Sequence, residues 1–218
     1  MQDNIAYMTS EIDFNIAISG TPGTGKTTVA NSLQRMLKTK LVIITELVKQ
    51  GKVKFKLDEK RNCKIIDADE LDKVINEKGV IIEGLISHML DCKFVFILRC
   101  NPIVLRSRLR KRRWQEKKIR ENVDAEILDS IAISASQYHK RSNIFEIDTT
   151  HQKPEQIARI IRKIIQAYIR RRHKKFSEEY KFGKINWTKD YGKMLIRNIN
   201  QNSHKVMLKG GESNRKEN

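Results

Sequence analysis

The sequence of 218 residues has little of what marks membrane or secreted proteins. It contains no apolar run long enough for a transmembrane helix. Its first residues, Met1 to Asp13, are polar, without the basic start and apolar stretch of a signal peptide. Its three cysteines show no CxxC or other metal-ligand spacing, so we expect reduced thiols. These absences predict a cytoplasmic protein with no membrane contact.

Acidic residues are scarce beside basic ones. The chain has 26 Asp and Glu against 44 Lys and Arg, a formal net charge of +18. A field of that sign attracts polyanions such as RNA, or acidic proteins, without identifying which. The alternative is that the source organism favours lysine-rich proteins. Residues 172–218 also contain more basic than acidic residues, with twelve Lys and Arg against five Asp and Glu, a net charge of +7.

Short apolar runs alternate with helical patterns over most of the chain. That order predicts an α/β fold, with a doubly wound five-stranded parallel sheet covered by helices on both faces. The predicted strands are 14–19, 41–44, 80–83, 94–98 and 143–148. Helices are expected within 69–78, in one long helix over 123–138, and from Pro154 onward, whereas 46–60 suits a helix followed by a loop.

The alternation stops near Arg171, which predicts three segments. Residues 1–13 form a polar N-terminal segment, 14–171 the α/β domain, and 172–218 a basic, partly disordered C-terminal extension. Aromatic residues interleave with lysines in the extension. Two explanations fit this pattern: stacking on single-stranded RNA, or packing of the aromatic rings onto the domain. The aromatic residues are Tyr180, Phe182, Trp187 and Tyr191.

The most specific motif is Gly20-x-x-x-x-Gly25-Lys26-Thr27, which matches the Walker A pattern in full. Glycines let backbone N–H groups approach phosphate oxygens, and the following helix presents its positive N-terminus to the same anion. Lys26 is expected to reach the β- and γ-phosphates of ATP, and the Thr27 hydroxyl to bind Mg²⁺. The predicted nucleotide-binding residues here are Gly20, Pro22, Gly23, Thr24, Gly25, Lys26, Thr27 and Thr28.

Several further strings narrow this to a family. They read DADELD at 67–72, LRCNP at 98–102, Arg108-Leu109, and KKIRENVDAEI at 117–127. Together with the loop, they resemble the adenylate kinase isoenzyme 6 family over residues 14–168. The resemblance implies a short lid and a monophosphate-binding insert, the reaction ATP + AMP giving two ADP, and an ATPase side activity. It also implies a role in small ribosomal subunit maturation, with a small-subunit ribosomal protein as partner.

Two positions depart from the family pattern. After the third predicted strand the family usually has an acid, one residue, then His, but this chain has Glu83-Gly84-Leu85. In the lid, Arg112-Arg113-Trp114 stands where Arg-Gly-Tyr is usual. Both departures bear on turnover rate and on the balance between kinase and ATPase activity. The missing His and the basic C-terminal extension favour the alternative function, an ATPase assembly factor that binds RNA and a ribosomal protein and has little kinase activity.

Other side chains are predicted to complete the site of a monomeric enzyme. Glu83 ends a buried strand, where ligands of parallel sheets bind, and we expect it to share Mg²⁺ with Thr27. Phosphoryl transfer spreads negative charge, so Arg108 and Arg112 in the basic lid segment (residues 106–120) are catalytic candidates beside Lys26. Thr149, after the fifth predicted strand, is a candidate for contact with adenine.

Three further residues have two readings each. Arg99 follows the fourth predicted strand and either reaches phosphate or forms a salt bridge. Asp67 either caps the following helix or positions the acceptor nucleotide. Lys49 either meets an incoming monophosphate or lies on a solvated helix face.

Overall fold

Five short strands form a parallel sheet at the centre of the computed structural model, which describes residues 12–59, 63–170 and 174–195. The strands follow the order β2-β5-β1-β6-β7, so the predicted doubly wound α/β fold is confirmed. Their bounds are β1 Ile16–Gly20, β2 Leu41–Ile43, β5 Ile81–Glu83, β6 Phe94–Arg99 and β7 Ile144–Asp148. Each predicted strand is found within two residues of its expected ends.

Helices cover both faces of the sheet. Their bounds are α1 Lys26–Leu37, α2 Ile44–Lys49, α3 Ala68–Val74, α4 Pro102–Lys111, α5 Glu116–Ile127, α6 Ser130–Tyr138, α7 Pro154–Ile169 and α8 Lys174–Glu179. Helix α4 begins at a proline and is capped by the Asn101 side chain, which accepts hydrogen bonds from the backbone N–H groups of Ile103 and Val104.

Alternate residues of each strand point to opposite faces, and this divides the core in two. On one face, Ile16 and Ile18 of β1 pack under α1 and α7 with Phe94 and Phe96 of β6. On the other face, Ala17 packs with residues of α2, α3 and α6. A third cluster lies between α4 and α5. Because the strands are parallel, their carboxyl ends lie together at one edge of this three-layer body, where a site can be built.

The predicted long helix over 123–138 is wrong, because the chain breaks it into α5 and α6. Asp129 between them has φ 54°, a left-handed conformation that ends one helix and redirects the next. Its carboxylate forms an ion pair with the Arg99 guanidinium, which holds the bend in place. Apolar periodicity continues through the break, so the pattern alone did not indicate it.

The segment between β2 and β5 also differs from expectation. A helix is present there, but it is followed by a two-stranded antiparallel hairpin, β3 Lys56–Asp58 and β4 Cys63–Ile65, in place of a loop. The predicted helix over 69–78 is α3, and it already ends at Val74. Strands of three residues carry too little periodicity to be detected in sequence.

Residues 174–195 contact the domain. The Glu146 backbone N–H donates to the Tyr180 carbonyl (2.8 Å), which continues the sheet edge beyond β7. Thr188 donates its hydroxyl proton to the Ile127 carbonyl (2.6 Å), and Asn101 Nδ2 donates to the Tyr191 hydroxyl (2.5 Å). Tyr180 and Tyr191 pack against different core clusters, which supports the packing explanation for these aromatic rings. The polar segment 1–11 and residues 196–218 lie outside the described residues.

Among the described helices, none combines the length and the apolar character that crossing a membrane requires. This agrees with the lack of long apolar runs in the sequence.

Leu33 tests how strongly the core between α1 and the sheet holds the fold. It is completely buried, so Leu33→Ala removes its apolar contacts and leaves a cavity. We expect the free energy of unfolding to fall by about 2–5 kcal/mol, measured by urea unfolding at equilibrium. The control is Leu57→Ala at a side chain that is 58% exposed, with an expected change below about 0.5 kcal/mol. Equal losses in the two variants would contradict this packing.

Candidate active site

The phosphate loop (residues 20–27) joins β1 to α1 at the carboxyl edge of the sheet. Gly20, Gly23 and Gly25 have φ of 139°, 97° and 95°, all in the region that favours glycine. A Cβ atom on Gly20 would lie 2.4 Å from the Leu98 carbonyl oxygen, so even alanine would displace the neighbouring strand. The motif glycines therefore serve the local backbone path as well as the approach of a phosphate.

Lys26 is the first residue of α1 and turns back over the loop. Its Nζ donates hydrogen bonds to the carbonyl oxygens of Gly20 (2.8 Å) and Thr21 (3.2 Å). Burial lowers the pKa of Lys26 to about 8, and the nearby Glu83 carboxylate opposes this shift. The ammonium group is thus held at the strand edge by weak acceptors, which an anionic phosphate can replace.

Glu83 and Thr27 meet beside this lysine. Glu83 is the last residue of β5 and is 5% exposed, and its carboxylate lies near the Thr27 side chain. Burial raises the pKa of Glu83, while the positive charge of Lys26 and the nearby Thr27 side chain lower it. A carboxylate and a hydroxyl are the hard oxygen donors that Mg²⁺ prefers, so the two side chains fit that ion.

Within the described part of the chain, no group of three or more His, Cys, Asp and Glu is placed to hold a metal ion. Mg²⁺ bound here would therefore take most of its ligands from nucleotide phosphates and water. Such a shell is usual for Mg²⁺ in phosphoryl-transfer enzymes, which provide only one or two side-chain ligands.

The two candidate arginines differ in environment. Arg108 of α4 donates from Nη2 to the carbonyls of Thr149 (2.8 Å) and Thr150 (3.0 Å), and from Nη1 to that of Gly23 (3.5 Å). Arg112, at the end of α4, is exposed, and its charge contributes to lowering the Lys26 pKa. Its role as a catalytic residue stays a prediction.

Thr149 lies against the phosphate loop. It is 2% exposed, and its hydroxyl is within 2.9 Å of the carbonyl oxygens of Thr24 and Arg99. Thr24 is also buried and donates its hydroxyl proton to the Thr21 carbonyl (2.9 Å), whereas Thr28 is exposed on the first turn of α1. Thr149 therefore connects the loop to the strand ends, and its contact with adenine stays a prediction.

The contacts of Arg99 and Asp67 decide between the two roles that the sequence left open for each. Arg99 is 2% exposed and forms ion pairs with Glu126 (2.8 Å), Glu146 (2.5 Å) and Asp129, so the salt-bridge reading holds. Burial alone would lower the pKa of Arg99, but these carboxylates raise it above its ordinary value, and the guanidinium stays charged. Asp67 accepts hydrogen bonds from two N–H groups and caps α3.

Lys49 pairs with Glu46 (3.0 Å) on an exposed face of α2, as a solvated helix face requires. This ion pair is enough to account for the position of the Lys49 side chain, and its contact with a monophosphate stays a prediction.

Sequence reasoning missed two buried partners of the loop region. Glu126 accepts a hydrogen bond from the Thr21 hydroxyl. The only sequence signal for Glu126 was its place in the family-like string at 117–127. His88 lies between Ser19 (3.0 Å) and Ser134 (2.9 Å), and burial lowers its pKa to about 4, so it is neutral at physiological pH. His88 fixes the strand that leads into the loop, while Leu85, at the family's His position, is 46% exposed.

Known proteins similar to this chain indicate its family. A family model described as AAA domain matches residues 16–129, slightly more than half of the chain. A protein from Methanocaldococcus jannaschii named "Putative adenylate kinase" is 39% identical over 181 residues, covering 81% of this chain and 94% of that protein. A protein of the same name from Archaeoglobus fulgidus is also 39% identical, over 79% of this chain and 90% of its own length.

The chain belongs to this adenylate kinase-like family of P-loop proteins. The resemblance to the adenylate kinase isoenzyme 6 family drawn from its motifs is thereby confirmed. Shikimate kinase from Acinetobacter baumannii shares the fold, with a TM-score of 0.51, 17% identity, and coverage of 72% of this chain and 96% of that one. Fold, phosphate loop and relatives make the chain an ATP-dependent phosphotransferase of the nucleoside-monophosphate kinase type.

The lowered pKa of Lys26 leads to a prediction of how ATP affinity depends on pH. Below about pH 8 the lysine is charged in both states, so ATP affinity should not depend on its titration. Bound phosphates raise the Lys26 pKa, so above pH 8 binding must take up a proton and affinity should fall, by up to about tenfold per pH unit. Calorimetric titration with ATP from pH 7 to 9.5 measures this. Lys26→Met is the control and should bind weakly without the fall, whereas identical profiles in the two proteins would refute the assignment.

Proposed function

We propose that the chain is an adenylate kinase that transfers the γ-phosphoryl group of ATP to AMP and forms two ADP. The observation that carries the proposal is the phosphate loop with Lys26 turned back over it and with Thr27 and Glu83 nearby. The choice of AMP is supported by the names of the relatives. The enzyme acts as a monomer in the cytoplasm, where both nucleotides are found.

The reaction needs positioning and charge more than a protein nucleophile. An oxygen of the AMP phosphate attacks the γ-phosphorus, and the bond from that phosphorus to the β–γ bridging oxygen breaks to release ADP. Lys26 holds the β- and γ-phosphates, and Arg112 with Arg108 stabilises the charge on the transferring group. Thr27 and Glu83 would hold Mg²⁺, which neutralises phosphate charge when it is bound.

The acceptor is expected to approach from the segment between β2 and β5. Helix α2, the β3–β4 hairpin and helix α3 all lie between these strands, and β5 carries Glu83 at its end. The segment supplies exposed lysines, among them Lys49 and Lys52, which are suited to a monophosphate. An insert at this point matches the monophosphate-binding insert implied by the family.

A second role is favoured by the exposed charge of the lid segment. Six of its basic side chains face solvent: Arg110, Lys111, Arg112, Arg113, Lys117 and Lys118. This exceeds what one transferring phosphoryl group requires, and it suits ribosomal RNA, whose backbone attracts clustered Lys and Arg. We therefore propose that the protein also takes part in small ribosomal subunit maturation and rRNA processing, with a ribosomal protein partner and slow ATP hydrolysis.

Lys26→Ala tests the kinase. We expect ADP formation from ATP and AMP to fall by about 100-fold or more, since the variant loses the cation that stabilises transferring charge. The measurement is a coupled ADP assay with AMP, CMP and UMP compared as acceptors. The control is Lys163→Ala, an exposed lysine of α7 outside the acceptor segment, which should leave the rate unchanged. If ATP were hydrolysed slowly and no acceptor increased the rate, the kinase proposal would be lost and the ATPase role retained.

The ribosomal role is tested by the double variant Arg113→Gln/Lys117→Gln, which removes two exposed lid charges. Cosedimentation with small ribosomal subunits should weaken, and the salt dependence of binding should become shallower, because fewer phosphate contacts form. Lys73→Gln/Lys78→Gln removes the same charge from an exposed region elsewhere and should change binding less. Sedimentation that is absent at low salt, or equally weakened by both pairs, would exclude a lid-directed RNA contact.

A further inference from the structure

A buried carboxylate outside the phosphate loop contacts the loop directly. Glu126, near the end of α5, is 2% exposed, and its Oε2 accepts a hydrogen bond from the Thr21 hydroxyl. Its Oε1 accepts from Arg99 Nε (2.8 Å) and from the Cys100 backbone N–H (3.1 Å). The carboxylate is therefore fixed on three sides, by one loop residue and by the end of β6.

Thr21 connects the fixed Glu126 carboxylate to the backbone of the phosphate loop. Its carbonyl oxygen accepts from Lys26 Nζ (3.2 Å), from the Thr24 backbone N–H (3.2 Å) and from the Thr24 hydroxyl (2.9 Å). The side chain of Thr21 faces Glu126 and is 2% exposed, so it has no free surface for a nucleotide. One residue thus holds the loop backbone by its carbonyl and is itself held by its hydroxyl.

We infer that Glu126 is a positioning residue that sets the phosphate loop for phosphoryl transfer through Thr21. Glu126 belongs to α5, whose first turns lie in the lid segment, so the same hydrogen bond joins that helix to the phosphate loop. Its role is to hold the loop backbone and the Lys26 ammonium group in register with the transferring group. The inference rests on the proposed phosphoryl transfer for its kinetic consequences.

Thr21→Val isolates the hydrogen bond, because valine keeps the shape of threonine and loses the hydroxyl. We expect kcat to fall by about 10- to 100-fold, as small misplacements of catalytic groups cause, with KM for AMP little changed. Thr21→Ser keeps the hydroxyl and should recover most of the loss. All proteins are assayed well below their unfolding temperatures, so a variant that is merely less stable would retain its kcat.

Glu126→Gln completes a double-mutant cycle with Thr21→Val. Glutamine keeps a carbonyl oxygen for Arg99 and Cys100, which limits damage to the fold. If the two residues act through one bond, the double variant should be no slower than the slower single variant. Additive losses, or a Thr21→Val enzyme with normal kcat, would overturn the inference.

ATP affinity keeps this test separate from the kinase proposal. If the wild-type protein transferred no phosphate to AMP, the dissociation constant for ATP in the same four variants would still show whether Glu126 positions the phosphate loop through Thr21. We expect Thr21→Val to weaken ATP binding by about tenfold or more and Thr21→Ser to bind as tightly as wild type. Equal affinity in the valine and serine variants would refute a positioning role even if the kinase activity itself were established.

Discussion

The close approach of the β1 end to its neighbouring strand is the constraint on which the rest of the site depends. At Gly20 the backbone passes so near the Leu98 carbonyl that no side chain fits, and at this residue the chain turns into the phosphate loop. The turn places Lys26 at the start of α1 and over the loop carbonyls. The five parallel strands make this possible, because their carboxyl ends bring Glu83 and Arg99 to the same edge.

The two buried cations at that edge, Arg99 and Lys26, serve different functions. Arg99 is surrounded by carboxylates from α5, from the bend at Asp129 and from β7, and removing one partner of such a buried group is usually costly, by about 3–5 kcal/mol. Lys26 instead has neutral carbonyl acceptors and a depressed pKa. The first arrangement fixes structure, whereas the second leaves a cation ready for an anionic ligand. Glu126 belongs to both, because it binds Arg99 and Thr21.

The C-terminal segment extends the same network outward. Glu146 accepts from Arg99 with one oxygen and from the Gly183 backbone N–H (2.7 Å) with the other. Thr188 and Tyr191 contact the end of α5 and the cap of α4, the two helices that bound the lid. Residues that read in sequence as a basic extension therefore pack on the elements that carry the lid, and their aromatic rings serve that packing.

The sequence by itself determined the alternation of strands and helices, the phosphate loop and the family, because short apolar runs, period-3.6 repeats and the Walker A spacing are local properties. It also pointed to Glu83, since the end of a buried strand is visible in a short apolar run. Only the tertiary structure decided the break at Asp129, the role of Arg99 and the contact of Glu126 with Thr21. Those depend on ion pairs and hydrogen bonds between residues 27 to 105 positions apart, which no local pattern records.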